Sequence, residues 1–292
     1  MESLNKKTLF DRVVGSMAQS KPMNQFNSWI ASGFILRGTP ASPEFQKMGA
    51  DAQIAVGIPA ERQVPIRFLE PEDEHDGGLA QAEAIYLYKD TFDNADTSYG
   101  VNRCIIHHEA VHIKYNDEMA IAPFLATGLM SGPVLTKLIK PDGKLNILYP
   151  LSMIAGVLAG RWLAGKYLTS YCERRADIEG HYATQCSTCV QESANNLKEK
   201  LTFMHKALEV LKNDEEMEKR ISSGLVTQAD RENAINTAQD FINTKKHYLS
   251  PDELEQIALD LKQQGKVCTF HNACKAPIIN RGFKLEVQHP VV

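Results

Sequence analysis

The chain has 292 residues, enough for one large domain or for a catalytic domain carrying a helical appendage. Its 43% hydrophobic and 23% charged residues are ordinary for a globular protein and exclude wholesale disorder. A net charge of -4 and a pI near 6.2, with no basic tail, exclude a dedicated nucleic-acid binder, because no cationic excess exists to neutralise phosphates.

The opening MESLNKKTLFDRVVGSMAQSK holds Lys6 and Lys7 but no continuous apolar core, so a secretory signal is not expected and the six cysteines should be mostly reduced. Up to about residue 62 the chain mixes an amphipathic start with Gly, Pro and Ser punctuation, which reads as irregular or short-helical. The run VPIRFLEP over 64–71 predicts a strand, PEDEHDGG an acidic turn, and 84–88 a second strand. The two strands together suggest a small antiparallel sheet. From 98 to 117 the apolar positions take helical spacing.

Two charge-free stretches follow, 119–136 and 145–160, joined by the polar turn KLIKPDGK. As helices each spans roughly 25 Å, just short of the ~30 Å hydrocarbon core of a bilayer. Each also holds a Gly-x-x-x-Gly (Gly128/Gly132 and Gly156/Gly160), and Arg161, Trp162 and Lys166 then form an interfacial kind of border. A membrane-associated hairpin over 119–166 and a buried soluble one both fit this pattern. A helix through Glu173 and Asp177 comes next, then amphipathic helices over 191–211, 227–246 and 251–264. The last has Ser250 as N-cap and Pro251 at its first position. The tail from Lys275 reads as irregular or a short strand.

Chemistry concentrates in His108-Glu109-Ala110-Val111-His112. Two histidines four apart share one helix face, so both imidazoles can reach one metal ion. A glutamate after the first histidine stands beside the metal's water and can take its proton. A catalytic zinc needs a third protein ligand. The continuous metzincin pattern fails, since Tyr115 and Glu118 stand where Gly and His are required. A glutamate from a later helix is the other common solution, and TSYCERRADIEGHYA supplies Glu173. Asp177, one turn on, can accept the remaining ring N–H of a ligand histidine.

HEAVH followed after a hydrophobic interval by ERRAD resembles the HExxH…ExxAD pattern of the HtpX and CAAX prenyl protease family of gluzincins. IYLYKD before the motif and HIKYND after it are similar to that family too, so the resemblance covers about residues 50 to 185. It implies zinc held by His108, His112 and Glu173, base catalysis by Glu109 and support from Asp177. It also implies membrane helices between the motifs.

Other residues have plainer readings. His107 is a flanking packing or surface histidine, and Glu173 and Asp177 could instead pair with Arg174 or Arg175. His181 extends the Glu173–Asp177 face and is either structural or an oxyanion stabiliser, a role also open to Arg174 or Arg175. Cys186 and Cys189, with Cys268, His271 and Cys274, could close a second zinc site, form redox pairs, or stay unliganded.

The expected fold is therefore α+β and mainly α. A gluzincin-type catalytic domain occupies 49–185 with the hairpin 119–166, flanked by an N-terminal extension (1–48) and a C-terminal helical region (186–292). The expected function is zinc-dependent hydrolysis of unfolded or membrane-associated polypeptide, with Ala84 to Tyr88 as the candidate substrate-binding edge. The active site is expected to face the cytosol at a membrane, or to be cytoplasmic. A membrane-associated scaffold with a structural or vestigial metal site is the rival, and an effector acting on a host protein is a third reading.

Overall fold

The computed structural model describes residues 38–69, 78–81, 83–88, 98–117, 148–163, 167–213, 218, 221–224 and 227–267. Strands β1 (Thr39–Pro40), β2 (Ile66–Leu69), β3 (Gly78–Gln81) and β4 (Ala84–Tyr88) form one sheet in the order β1-β2-β4-β3. The helices are α1 (Pro43–Ala55), α2 (Tyr99–Tyr115), α3 (Leu148–Leu163), α4 (Thr169–Ala183), α5 (Ser187–Asn213), α6 (Gln228–Lys245) and α7 (Pro251–Gln263). The chain is mainly helical with a small sheet, as expected.

The sheet is mixed rather than antiparallel. β3 enters between β2 and β4 in sequence and pairs antiparallel with β4, Gly78 opposite Leu87, so the chain reverses twice and β2 and β4 run parallel, Ile66 opposite Ile85. β4 is accordingly an internal strand. Ala84, Ile85, Tyr86 and Leu87 are all buried, the continuous apolar run of a strand covered on both faces. It is therefore not an edge of the sheet, where the expectation placed it; the outer strands are β1 and β3.

Between β1 and β2 the short-helical alternative holds, as a helix of 13 residues. Ser42 precedes Pro43 at the first helical position, and Phe45, Met48, Gly49 and Ala52 recur at helical spacing on its buried face. Phe45 meets Phe68 edge-to-face with ring centres 5.4 Å apart. Gln53, one turn pair beyond Gln46, gives and takes hydrogen bonds with the Val64 backbone at 2.9 and 2.8 Å, and Gln46 does the same with Ile66. These contacts clamp α1 to β2, and with Ile85, Leu87, Ile106, Ala110 and Val111 they form the core between sheet and α2.

A second apolar cluster joins Cys104 of α2 to Cys186, Val190 and Ala194 and to Leu254, Ile257 and Leu261 of α7. The predicted cap at Ser250 holds, forming a reciprocal capping box with Glu253 and with Pro251 at the first helical position; Thr227 forms a further box with Asp230. The C-terminal helices thus share a core with the motif helix. Of the predicted hairpin, 119–136 and the joining turn lie outside the described residues. Its second half is α3, with Leu151, Ile154, Leu158 and Trp162 exposed along one face. Among the described residues no helix is long and apolar enough to cross a membrane.

Candidate metal centre

Helix α2 begins at Ser98, whose hydroxyl accepts from the Val101 N–H and donates to Glu192 at 2.7 Å, tying its start to α5. It ends at Asn116, which adopts the left-handed conformation (φ 55°) that Asn tolerates and returns the chain on itself. The return brings the Asp117 carboxylate to His112 Nδ1 at 2.8 Å. Helix α4 lies against α2 at Gly180, where an added Cβ would stand 2.8 Å from the His108 nitrogen. That close approach sets one face of α4, with Glu173 and Asp177, against the two histidines.

The three expected ligands converge. His108 Nε2 lies 3.0 Å from His112 Nε2 and 3.1 Å from Glu173 Oε2, and His112 Nε2 lies 3.5 Å from the same oxygen. Donors on a tetrahedral zinc, with bonds of about 2.0–2.2 Å, stand roughly 3.3–3.5 Å apart, so this spacing fits a single ion. His108 Nδ1 is 2.8 Å from Asp177 Oδ1, and with carboxylates on both Nδ1 atoms the ring protons belong there. Both Nε2 lone pairs then point inward at a carboxylate oxygen. A set of acceptors turned on one another demands a cation. This His-His-Glu cluster can hold a metal ion.

The electrostatics express the same demand. Burial would push the His108 imidazole down, but Asp177 and Glu173 hold it well above its ordinary value. His112 is likewise opposed by burial, yet Asp117 and Glu173 raise it to about 9. Glu173, although buried, is held far below the carboxylate range by the two imidazoles. Burial raises the Glu109 carboxyl, with His108 and His112 pulling the other way.

Glu109 is buried beside the ligands, and the Ala80 N–H of β3 donates to its carboxylate. β3 can approach because residue 78 is glycine: a Cβ there would meet Glu109 Cγ at 2.8 Å. Gly78, His108 and Glu109 line a cavity of about 140 Å³, several times what one water needs.

Three participants escape the sequence reading. Asp117 was visible only as the residue ending HIKYND. Tyr248, from the connection between α6 and α7, stacks on the His108 ring at 5.7 Å between centres and 23° between planes. Burial first, then the carboxylates of Glu173, Glu109 and Asp177, raise its phenol, so it stays a neutral donor. The Leu249 N–H completes Asp177 by donating to Oδ2 at 2.8 Å.

The remaining candidates are not among the convergent ligand atoms, although His181 lines the same cavity as His108 and Glu109. Arg174 pairs with Glu253 at 2.6 Å, and Arg175 pairs with Asp117 while lying over the Tyr115 ring, so neither is spent on Glu173. His181 is buried with Nδ1 donating to the Asp177 carbonyl at 2.6 Å and Nε2 3.4 Å from Ser193 Oγ. His107 is a buried packing histidine, pushed down to about 4 by burial, with Nδ1 donating to the Arg103 carbonyl. Cys186 and Cys189 are buried, the Cys189 N–H donating to Cys186 Sγ, while Cys268, His271 and Cys274 lie outside the described residues. No family model, curated protein or solved structure matches this chain.

Proposed function

We propose that the protein is a zinc-dependent endopeptidase in which His108, His112 and Glu173 hold the ion and Glu109 is the general base. One observation carries this reading: His108 and Glu109 line a cavity beside three convergent ligand atoms. A structural zinc site closes its sphere with four protein donors, whereas a catalytic one has three and faces open space. Two imidazoles and a carboxylate suit zinc.

When bound, zinc supplies a Lewis acid that polarises a carbonyl and brings the pKa of water to about 7. Glu109 takes a proton from the attacking water and returns it to the leaving nitrogen, and its raised carboxyl suits it to hold that proton between the two transfers. The Tyr248 hydroxyl, which hydrogen-bonds to Glu173 beside the ligands, stands close enough to donate a hydrogen bond to the carbonyl oxygen as negative charge develops there. An extended substrate pairs with the β3 edge, which favours unfolded segments over folded ones.

The exposed apolar face of α3 favours a second reading, a membrane-associated scaffold with a structural ion. Hydrolysis of casein by the wild type and Glu109→Gln separates the two. The peptidase reading expects Glu109→Gln to keep its metal and lose about 10²–10⁴-fold in rate. Equal rates sink the base assignment, and metal without cleavage in either protein favours the scaffold.

A further inference from the structure

The carboxylates that orient the two ligand histidines are anchored differently. On His108, Asp177 keeps its second oxygen on a neutral donor, the Leu249 N–H. On His112, Asp117 gives Oδ2 to the ring at 2.8 Å and Oδ1 to the Arg175 guanidinium of α4. The Cys172 thiol donates to the same carboxylate. The ion pair is nearly enclosed, the Arg175 side chain 12% and the Asp117 side chain 8% exposed. An enclosed pair contributes little net stability once lost hydration is counted, and its best-attested use is to fix one arrangement among several.

Such fixing is needed at Asp117. It lies past the end of α2, beyond the left-handed Asn116, so the helix itself does not aim its side chain. The guanidinium is planar and permanently charged, and it is itself held, 3.8 Å from the centre of the Tyr115 ring and 5.3 Å from that of Tyr171. A separate set of contacts ties the end of α2 to α4: Tyr115 and Lys114 both donate to Glu179, at 2.6 and 2.7 Å. Those contacts join the helices without touching Asp117. Helix α4 thus brings Glu173 as a ligand and, two residues on, the cation that seats the partner of His112.

We infer that Arg175 is a positioning residue of the metal centre, acting through Asp117 to hold the His112 imidazole with Nε2 turned to the ion. The inference rests on the metal-binding part of the proposed function and is independent of what the site cleaves. Guanidinium and imidazole occupy opposite oxygens of one carboxylate, so the influence of Arg175 runs through Asp117. Two substitutions along one such route do not add.

The test measures the zinc affinity of the full-length protein by competition with a chromophoric chelator, with circular dichroism to verify folding. Arg175→Gln should weaken binding by about 10–100-fold, the loss usual when an outer partner of a ligand histidine is removed. Arg175→Lys, which restores the charge without the planar fork, should recover part of it. In Asp117→Asn the route is already cut, so adding Arg175→Gln should bring no further loss. That double variant removes both enclosed charges together and strands neither, so it reads the coupling even where Arg175→Gln alone folds poorly. Glu179→Ala, which breaks the separate tie between α2 and α4, should lower the denaturation midpoint and leave zinc affinity unchanged. Unaltered affinity in Arg175→Gln overturns the inference. So does a double variant that binds about tenfold more weakly than Asp117→Asn, a gap that is additive rather than shared. An equal loss from Glu179→Ala would show Arg175 to be general packing and overturns it too. A wild type that takes up no zinc overturns the metal centre itself and the inference with it, which separates the two failures.

Discussion

Asp117 and Asp177 decide which nitrogen each ligand histidine presents. Each carboxylate takes an Nδ1 hydrogen and leaves Nε2 aimed at Glu173. Replacing Asp117 by Asn should weaken metal affinity by roughly 10–100-fold, read by competition with a chromophoric chelator; unchanged affinity would show that His112 needs no such partner. The same pair sets a pH dependence. His112 is raised in the folded, metal-free protein, from 6.5 to about 9, so its proton stabilises that state fully below 6.5 and ceases to as pH rises through about 9. A metal must displace that proton. The difference in Tm between metal-loaded and chelator-treated protein should therefore widen from pH 6.5 to 9, and a constant difference would contradict this. At this scale the sequence was informative wherever one helix carried the pattern. His108, Glu109 and His112 share a turn and its neighbour, as do Glu173 and Asp177. Tyr248 was hidden because nothing local marks a tyrosine in a short connection as a partner for a distant imidazole.

Between elements, the decisive contact is α4 on α2. A helical glycine costs roughly 0.5–1 kcal/mol relative to alanine, so Gly180 needs a packing reason, and the His108 backbone supplies it. Gly180→Ala should destabilise the fold by about 1–3 kcal/mol through overpacking and weaken metal binding with it. Chemical denaturation with and without zinc measures both, and a stabilised variant would show that the helices have slack. Gly78→Ala should instead leave the metal in place and lower hydrolysis, because its methyl group would displace Glu109. The helices of this region were legible from their period, which set starts near Ser98 and Thr227, and at Ser250 from its cap. The sheet was less so. β3 is four residues, Gly-Leu-Ala-Gln, too short and too weakly β-branched to register as a strand, and overlooking it reversed the sense of pairing between β2 and β4.

Across the whole molecule, the metal centre draws on both halves of the chain. Helices α2 and α4 bring the candidate ligands, β3 holds Glu109, the proposed general base, and the connection before α7 closes over His108 and Asp177 with Tyr248 and Leu249. Helices α5 and α7 share one core with Cys104 and Ile178. Sequence composition could place them as solvated amphipathic helices but not say against what they pack, because their apolar stripes fit many partners. A bound ion should stabilise this assembly by mass action, about 4 kcal/mol at a thousandfold excess over Kd. The most direct measurement is the metal content of purified protein by elemental analysis, wild type beside Glu173→Ala. One zinc per chain in the wild type, sharply reduced in Glu173→Ala at equal folding, is the expected result. A wild type without stoichiometric metal, or a variant that retains it undiminished, would contradict the convergence of His108, His112 and Glu173 on one ion.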